Sequence, residues 1–515
     1  MKERMPCFRE YIVGPFVVLL VKGTHVILLA CLGVLVLTAG AWAGRVTVSD
    51  AQVVATNWIS LIIHYRGDWG GSPTAQVQEV QEFKRGNRML GYLCKVSPEG
   101  YVIVSLVRGL SPVTDFSWEG ELDPDVDEGL TDLIKDGLER TLNAVEKEVG
   151  PIDKAKAEDL RRVVGTSDEN TWLLLASEPG YFKANLDYTQ PLTNYQAGEE
   201  LLTSRWHQFS PFNIFCPTPP AGSTCELNNC TVGCVGLSAC EIMRHWAWPP
   251  RGTVPPYDHP AYNWAQMPDT ANDSSPLSQK IALAELCYEV GVAIQSDYCI
   301  EGGCATSSNF TNVKHGIENY FYYANTSVEL FRKNYPPDGV TWFNMIKQEL
   351  NLNRPVQYSY PGHAIVADGW MEIYPGPQRW LHLCYGFPGG GNTDWHKLEE
   401  IPGGGPTTDS MLVHIYPAPA LGSSISGVYA VPSFPYRYFD RDCSATYAVF
   451  RAGHQLQFLH NITVQGSSYS SESRITFYGS PSLNTRLFSR GDPSKGIRTY
   501  NGAVQLRTNG GIKFY

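Results

Sequence analysis

The sequence predicts an α+β protein that ends in a β-rich tail. Three observations carry this. Residues 45–164 begin with helix-spaced apolar residues, pass through strand-like runs and return to a charged helical stretch. Residues 200–416 place helix-spaced segments ahead of strand-like ones. Residues 426–515 hold only short alternating runs separated by turn residues.

The 515 residues are 43% hydrophobic and 18% charged, enough apolar material for several cores and too much for wholesale disorder. Length suggests two to four domains. With 40 Lys+Arg against 51 Asp+Glu the net charge is -11, which argues against a nucleic-acid binder. The 48 Gly and 35 Pro indicate many turns and exclude a coiled coil.

Residues 11–43 are unusually apolar. Val26 to Leu37 forms the longer run, and Ala41-Trp42-Ala43 supplies the small residues of an export-signal cleavage site, placed after Ala43. A retained membrane anchor and a lipoprotein box at Leu28-Leu29-Ala30-Cys31 are the alternatives. Export to the exterior or the cell envelope makes the cysteines informative, because oxidising compartments permit disulfides. Of 13 Cys, ten lie between Cys216 and Cys443. Cys299 with Cys304 could close a small loop, and Cys216 could join Cys225 or Cys230. Sequence does not fix the pairing. Neither recurring CxxC pairs nor His pairs with ligand spacing support a metal centre, so no cofactor is expected.

In chain order, Val48 to Ile63 reads as a helix with Ser49 or Asp50 as N-cap. Leu90–Val96 and Tyr101–Ser105 read as paired strands about a Pro98-Glu99-Gly100 turn. Leu130, Leu133, Ile134, Leu138 and Leu142 fall near helical spacing. A domain boundary is expected near 180–200. Residues 417–424 have linker composition, and no internal repeat is evident in the tail.

The chemistry concentrates in 200–416. From Val235, apolar residues at Ala239, Ile242, Met243 and Trp246 define one helix face, and Pro249-Pro250 ends it. Gly233 frees a sharp turn in front, so Cys234 sits at a helix N-terminus. Unpaired amides and the helix dipole there stabilise a thiolate. Read alone, Cys234 could equally be a half-cystine or a buried thiol. Downstream, Trp342–Leu350 reads as a helix and Arg354–Tyr360 as a strand, followed by Pro361-Gly362-His363-Ala364. His363 would lie on a strand after a turn, a rigid place from which an imidazole can take a thiol proton. Gln208, upstream of Cys234, offers a side-chain amide that suits an oxyanion. In isolation each of these also has a plain structural reading.

Taken together, Trp206-x-Gln208, Ser210-Pro211-Phe212-Asn213, Gly233-Cys234-Val235 with Ile242-Met243, Arg354-Pro355-Val356, and Gly362-His363-Ala364 with Asp368-Gly369 resemble, in this order, the streptopain family of papain-like cysteine peptidases. The match covers about 200–400. Residues 45–115, notably Gly100–Ser105 and Ser111-Pro112-Val113, resemble that family's inhibitory propeptide. The resemblance implies Cys234 as nucleophile, His363 as general base and acid, and Gln208 as oxyanion donor. Where the family carries an Asn and a Trp that orient and shield the His, this chain has Cys384 and Tyr385. Tyr385 could still shield, whereas a thiol orients an imidazole poorly.

The implied layout is a signal peptide (1–43), an α+β inhibitory propeptide (44–185), a papain-like peptidase domain (186–418) and a small all-β domain (419–515). The implied partners are a protein or peptide substrate and the chain's own propeptide, with the ligand of the tail unknown and nucleic acid excluded. A catalytically impaired scaffold serving as a surface binding protein is the alternative, motivated by Cys384 and the tail.

Overall fold

The protein is described from a computed structural model. It covers residues 44–164, 168–186, 196–198, 200–249, 251–254, 261–321, 323, 328–332, 339–360, 362–373, 378–389, 392–398 and 410–416, with strand backbone between 424 and 514. The export signal and its Ala43 cleavage site lie outside the described residues. Among those described, no helix is long and apolar enough to cross a membrane.

Helix α1 (Val48–Arg66) starts one residue before the predicted caps. Thr47 is the N-cap, and Asp50 completes a capping box by accepting from the Thr47 N–H at 3.0 Å. Gly67 ends the helix at φ 93°, donating its N–H to the Ile63 carbonyl. Val54, Trp58 and Ile62 bury its inner face. Strands β1 (Gln76–Arg85), β2 (Arg88–Ser97), β3 (Tyr101–Ser105) and β4 (Val113–Ser117) form an antiparallel meander. The β2–β3 pair was legible in the sequence. Strand β1 was not, because most of its residues are polar and only Phe83 is fully buried. Helix α2 (Gly129–Val149) is pinned across β1 and β2 by Arg85 with Asp132, Asp136 and Glu139, and by Arg88 with Glu139 and Glu146. Short helices α3 (Ala157–Val164), α4 (Glu169–Leu175) and α5 (Pro179–Asn185) follow.

Strand β5 (Gln196–Ala197) leads into helices α6 (Cys234–Trp246), α7 (Leu277–Ala293) and α8 (Phe310–Tyr320). These build a helical core with Trp206, Phe212, Trp246, Leu283 and Ile317. Strand β6 (Glu329–Arg332) and helix α9 (Gly339–Asn351) precede β7 (Val356–Tyr360), β8 (His363–Ile373), β9 (Gln378–Cys384), β10 (Thr393–Lys397) and β11 (Ser410–Val413).

The two α+β segments share one sheet, in the order β1-β2-β3-β4-β10-β9-β8-β7-β11-β6, with β5 beside β8. The join is β4 against β10, Phe116 opposite Trp395 and Asp115 opposite His396. Trp58 and Phe116 from the first segment pack with Trp380 and Trp395 from the second, at ring centroid distances of 5.0 Å for Trp58–Trp380 and 6.2 Å for Phe116–Trp395. The boundary expected near 180–200 is therefore a boundary of the chain and not of the sheet or its core.

Two disulfides, Cys225–Cys304 and Cys230–Cys299, correct both predicted pairings. Cys299 and Cys304 do not close their own loop. Each reaches back to the segment before Cys234, and Cys216 is a buried free thiol.

Strands β12 (Ser424–Ala430) to β21 (Gly511–Phe514) form two parallel sheets that alternate along the chain. Ser444 lies between Ser424 and Thr463, and Thr463 pairs with Ser482. In the second sheet Leu456 lies between Arg437 and Ile475. The described backbone of the tail is strand, arranged as a coil of roughly 20-residue turns. That backbone repeat escapes the sequence because it is a repeat of register with no recurring motif.

Candidate active site

Cys234 is the first residue of α6. Gly233 before it has φ 84°, and a Cβ there would lie 2.8 Å from the Thr306 carbonyl, so glycine is required on both counts. The turn is braced from the 295–308 segment. Thr306 donates its hydroxyl to the Thr231 carbonyl at 2.7 Å, and the Thr231 N–H bonds the Cys304 carbonyl. The two disulfides clamp the same segments. Cys234 is partly exposed at the head of a helix whose remaining turns are buried.

His363 begins β8, directly after Gly362 at φ 87°. Its side chain hydrogen-bonds Cys234. Burial pushes the Cys234 thiol up, but the hydrogen bond and charge of His363, with the Ala364 and Val235 amides, outweigh it and bring the thiol below its ordinary value. Burial disfavours the His363 imidazolium, yet the Cys234 sulfur and the Tyr385 carbonyl raise its pKa. The two shifts point the same way, each favouring movement of a proton from sulfur to nitrogen.

The third member is the main-chain carbonyl of Tyr385, 2.8 Å from His363 Nε2. That leaves Nδ1 for the thiol. Cys384 does not fill this role. Its sulfur is buried among donor atoms of Asp368 and His382, and burial with the Asp368 charge holds it as a thiol. Tyr385 lies parallel to the imidazole at 6.4 Å between centroids, but Phe387 stacks closer, at 4.8 Å and 5°. The ring cover expected of Tyr385 thus falls mainly to Phe387, which the sequence reading had not singled out. Asn392, also missed, shapes this turn. Its side chain accepts from the Gly386 and Phe387 amides and donates to the Trp206 carbonyl. A buried Asn in a Gly-rich stretch was the available signal.

Cys234 and His363 open on a cleft of about 680 Å³, lined also by Gln208, Thr306, Asn309, Leu330 and Phe387. Gln208 is thus brought to the same cleft, anchored through its carbonyl to the Val232 N–H at 3.0 Å. The size suits a segment of peptide. Cys234, His363 and Gln208 line one cleft, while Tyr385 meets the imidazole through its main-chain carbonyl and Cys384 is a buried thiol away from it.

Among the described residues, three groups of acids, imidazoles and a thiol could approach a cation: Asp368 with His382 and Cys384, Asp115 with Asp394 and His396, and Glu119 with Glu200 and His382. Within them the imidazoles already pair with carboxylates, His382 with Asp368 and His396 with both Asp115 and Asp394. They act as buried ion pairs that tie strands together.

Residues 206–395 match the peptidase C10 family. Over these residues the chain is similar to the streptopain, or C10, family of cysteine peptidases. It is 25% identical over 404 residues to the thiol protease/hemagglutinin PrtT of Porphyromonas gingivalis, covering 72% of this chain and 42% of that protein. Streptopain of Streptococcus pyogenes is 22% identical over 413 residues, 74% of this chain and 92% of that protein. Among solved structures, a prointerpain A fragment of Prevotella intermedia aligns with TM-score 0.47 and 18% identity over 66% of this chain and 99% of that one. Active interpain A aligns with TM-score 0.34 and 21% identity, over 43% of this chain and 95% of that one. The matched residues 206–395 include Cys234 on the helix and His363 on the strand described above.

Proposed function

We propose that the protein is a cysteine endopeptidase made as a zymogen and exported through residues 1–43. Residues 44–185 would be the inhibitory propeptide, 186–418 the peptidase and 419–515 an appended β domain. The observation that carries the reading is the hydrogen-bonded Cys234–His363 pair at the mouth of a peptide-sized cleft.

The Cys234 thiolate attacks a peptide carbonyl carbon, and the C–O electrons move onto the oxygen. The Cys234 N–H and the Gln208 amide hold that oxyanion. The His363 imidazolium gives its proton to the leaving amine as the C–N bond breaks, leaving a thioester. The neutral imidazole then takes a proton from water, hydroxide adds to the thioester, and the sulfur leaves as thiolate. The Tyr385 carbonyl holds the ring through Nε2 in both steps.

Propeptide control is supported by the shared sheet and by packing near the site, where Leu130 and Ile134 of α2 share a hydrophobic cluster with Tyr385 and Phe387. The decisive experiment incubates processed wild type and Cys234→Ala with casein, checking both folds by circular dichroism. Cleavage by the wild type alone supports the reading, and equal cleavage by both overturns it. An impaired scaffold would show neither cleavage nor labelling of Cys234 by a thiol-reactive epoxide.

A further inference from the structure

Behind the imidazole lies a buried polar chain that the reaction scheme does not use. Tyr385, whose carbonyl receives His363 Nε2, donates its own hydroxyl to Asp394 Oδ1 at 3.2 Å. Asp394 is fully buried on β10. Its Oδ1 also pairs with His396 Nε2 at 2.7 Å, and its Oδ2 accepts the Tyr101 hydroxyl at 3.0 Å. His396 in turn pairs with Asp115. Tyr101 and Asp115 come from β3 and β4, while Tyr385, Asp394 and His396 come from the peptidase side.

A backbone carbonyl orients an imidazole only as firmly as its own residue is held. An Asn side chain in that place would be fixed by its rotamer and its amide partners. Here the acceptor sits in an irregular turn, with one anchor at the main chain, where the Tyr385 N–H bonds the Asn392 carbonyl at 2.8 Å. The other anchor is the phenol. A neutral phenol donating to a buried carboxylate makes a charge-assisted bond, stronger than a neutral one. Asp394 is itself ion-paired to His396 on the same strand, so the phenol meets a stationary acceptor even without the segment that bears Tyr101.

We propose that Asp394 is a positioning residue for the peptidase reaction: it clamps the Tyr385 ring, and through the Tyr385 carbonyl it sets His363 against Cys234. The inference rests on the Cys234–His363 reading and deepens it. It gives this chain a side-chain-to-backbone relay, Asp394 to Tyr385 to His363, in the place where an Asn would act directly.

The test is the pH dependence of Cys234 alkylation by iodoacetamide in the full chain, read by mass spectrometry, for wild type, Tyr385→Phe, Tyr101→Phe, Asp394→Asn and Asp394→Ala. Thermal midpoints are recorded alongside. The acid limb of the profile reports how well the imidazolium supports the thiolate. Loosening His363 moves that limb to higher pH and slows alkylation at neutral pH by roughly tenfold. The relay requires this in Tyr385→Phe and Asp394→Ala. Asp394→Asn, which keeps an acceptor for the phenol, should recover part of the loss. Tyr101→Phe removes an equivalent hydroxyl from the same carboxylate but lies off the path, so its limb should stay at the wild-type position. A purely structural carboxylate would lower the midpoints of Tyr385→Phe and Tyr101→Phe alike without moving either limb, and that result overturns the proposal. If wild-type Cys234 itself shows no selective alkylation, the peptidase reading fails instead.

Discussion

The Gln357 side-chain amide, on the strand just before His363, donates to the Val235 carbonyl at 2.9 Å, one residue past Cys234. The same nitrogen meets the Ser238 hydroxyl at 2.8 Å. Strand β7 therefore grips the first turn of α6, and the β7–β8 hairpin carries the imidazole to the thiol. Gln357→Leu leaves both acceptors without this donor in the core. Loss of about 1–3 kcal/mol of stability is expected by urea titration. The rate constant for peptide cleavage should fall more than substrate affinity, because the cleft wall is untouched.

The paired shifts of Cys234 and His363 set a pH signature. A lowered thiol pKa keeps the thiolate present below the ordinary thiol range of about 8.5. As pH falls the imidazole stays protonated, and thiolate is lost only when the sulfur itself takes up a proton. In His363→Ala the supporting hydrogen bond and charge are gone, burial is opposed only by the Ala364 and Val235 amides, and the thiol pKa rises. The acid limb of alkylation at Cys234 should move upward. An unmoved limb would separate the two groups.

The disulfides brace the turn before Cys234 and the cleft wall at once. They span sequence separations of 79 and 69 residues. Replacing Cys225 and Cys304 together by Ser should cost about 2–4 kcal/mol in thermal or urea unfolding. The Thr306–Thr231 bond then loses its frame, so KM for a peptide should rise while Cys234 still reacts with a small alkylating agent. Prolonged treatment with a strong dithiol should reproduce both effects.

His396 makes the junction of the two segments sensitive to alkali. Burial disfavours its charge, but Asp394 and Asp115 outweigh this and raise its pKa to about 10, against about 6.5 in an unfolded chain. The stabilisation is complete below the unfolded value and is lost as pH rises through the folded one. The thermal midpoint of the full chain should therefore decline on approach to pH about 10. His396→Gln should be less stable near neutrality and show a shallower alkaline decline. Parallel curves for the two proteins would count against the ion-pair role.

Local chemistry was legible wherever a residue's own type carried the signal. Gly233 ahead of Cys234 announced a turn into a helix, and the apolar period through Trp246 announced its buried face. Gly362-His363 announced a turn into a strand, and the structure starts that strand at His363. Even α1 was misread by only its cap, since Ser49, Asp50 and Thr47 are all capping types and only the geometry picks one. Strand β1 was missed because its inward residues are few, and the register of the tail because no motif repeats.

By itself, then, the sequence indicated the α+β class, a candidate thiol and imidazole with the elements that hold them, and the family resemblance. The tertiary structure decided the cystine partners, the single sheet joining the two α+β segments, the Phe387 cover and the carbonyl that replaces an orienting Asn. The reason is physical. A disulfide or an ion pair between strands depends on where distant segments meet. A main-chain carbonyl belongs to every residue type, so Tyr385 could not advertise in its side chain the work done by its backbone.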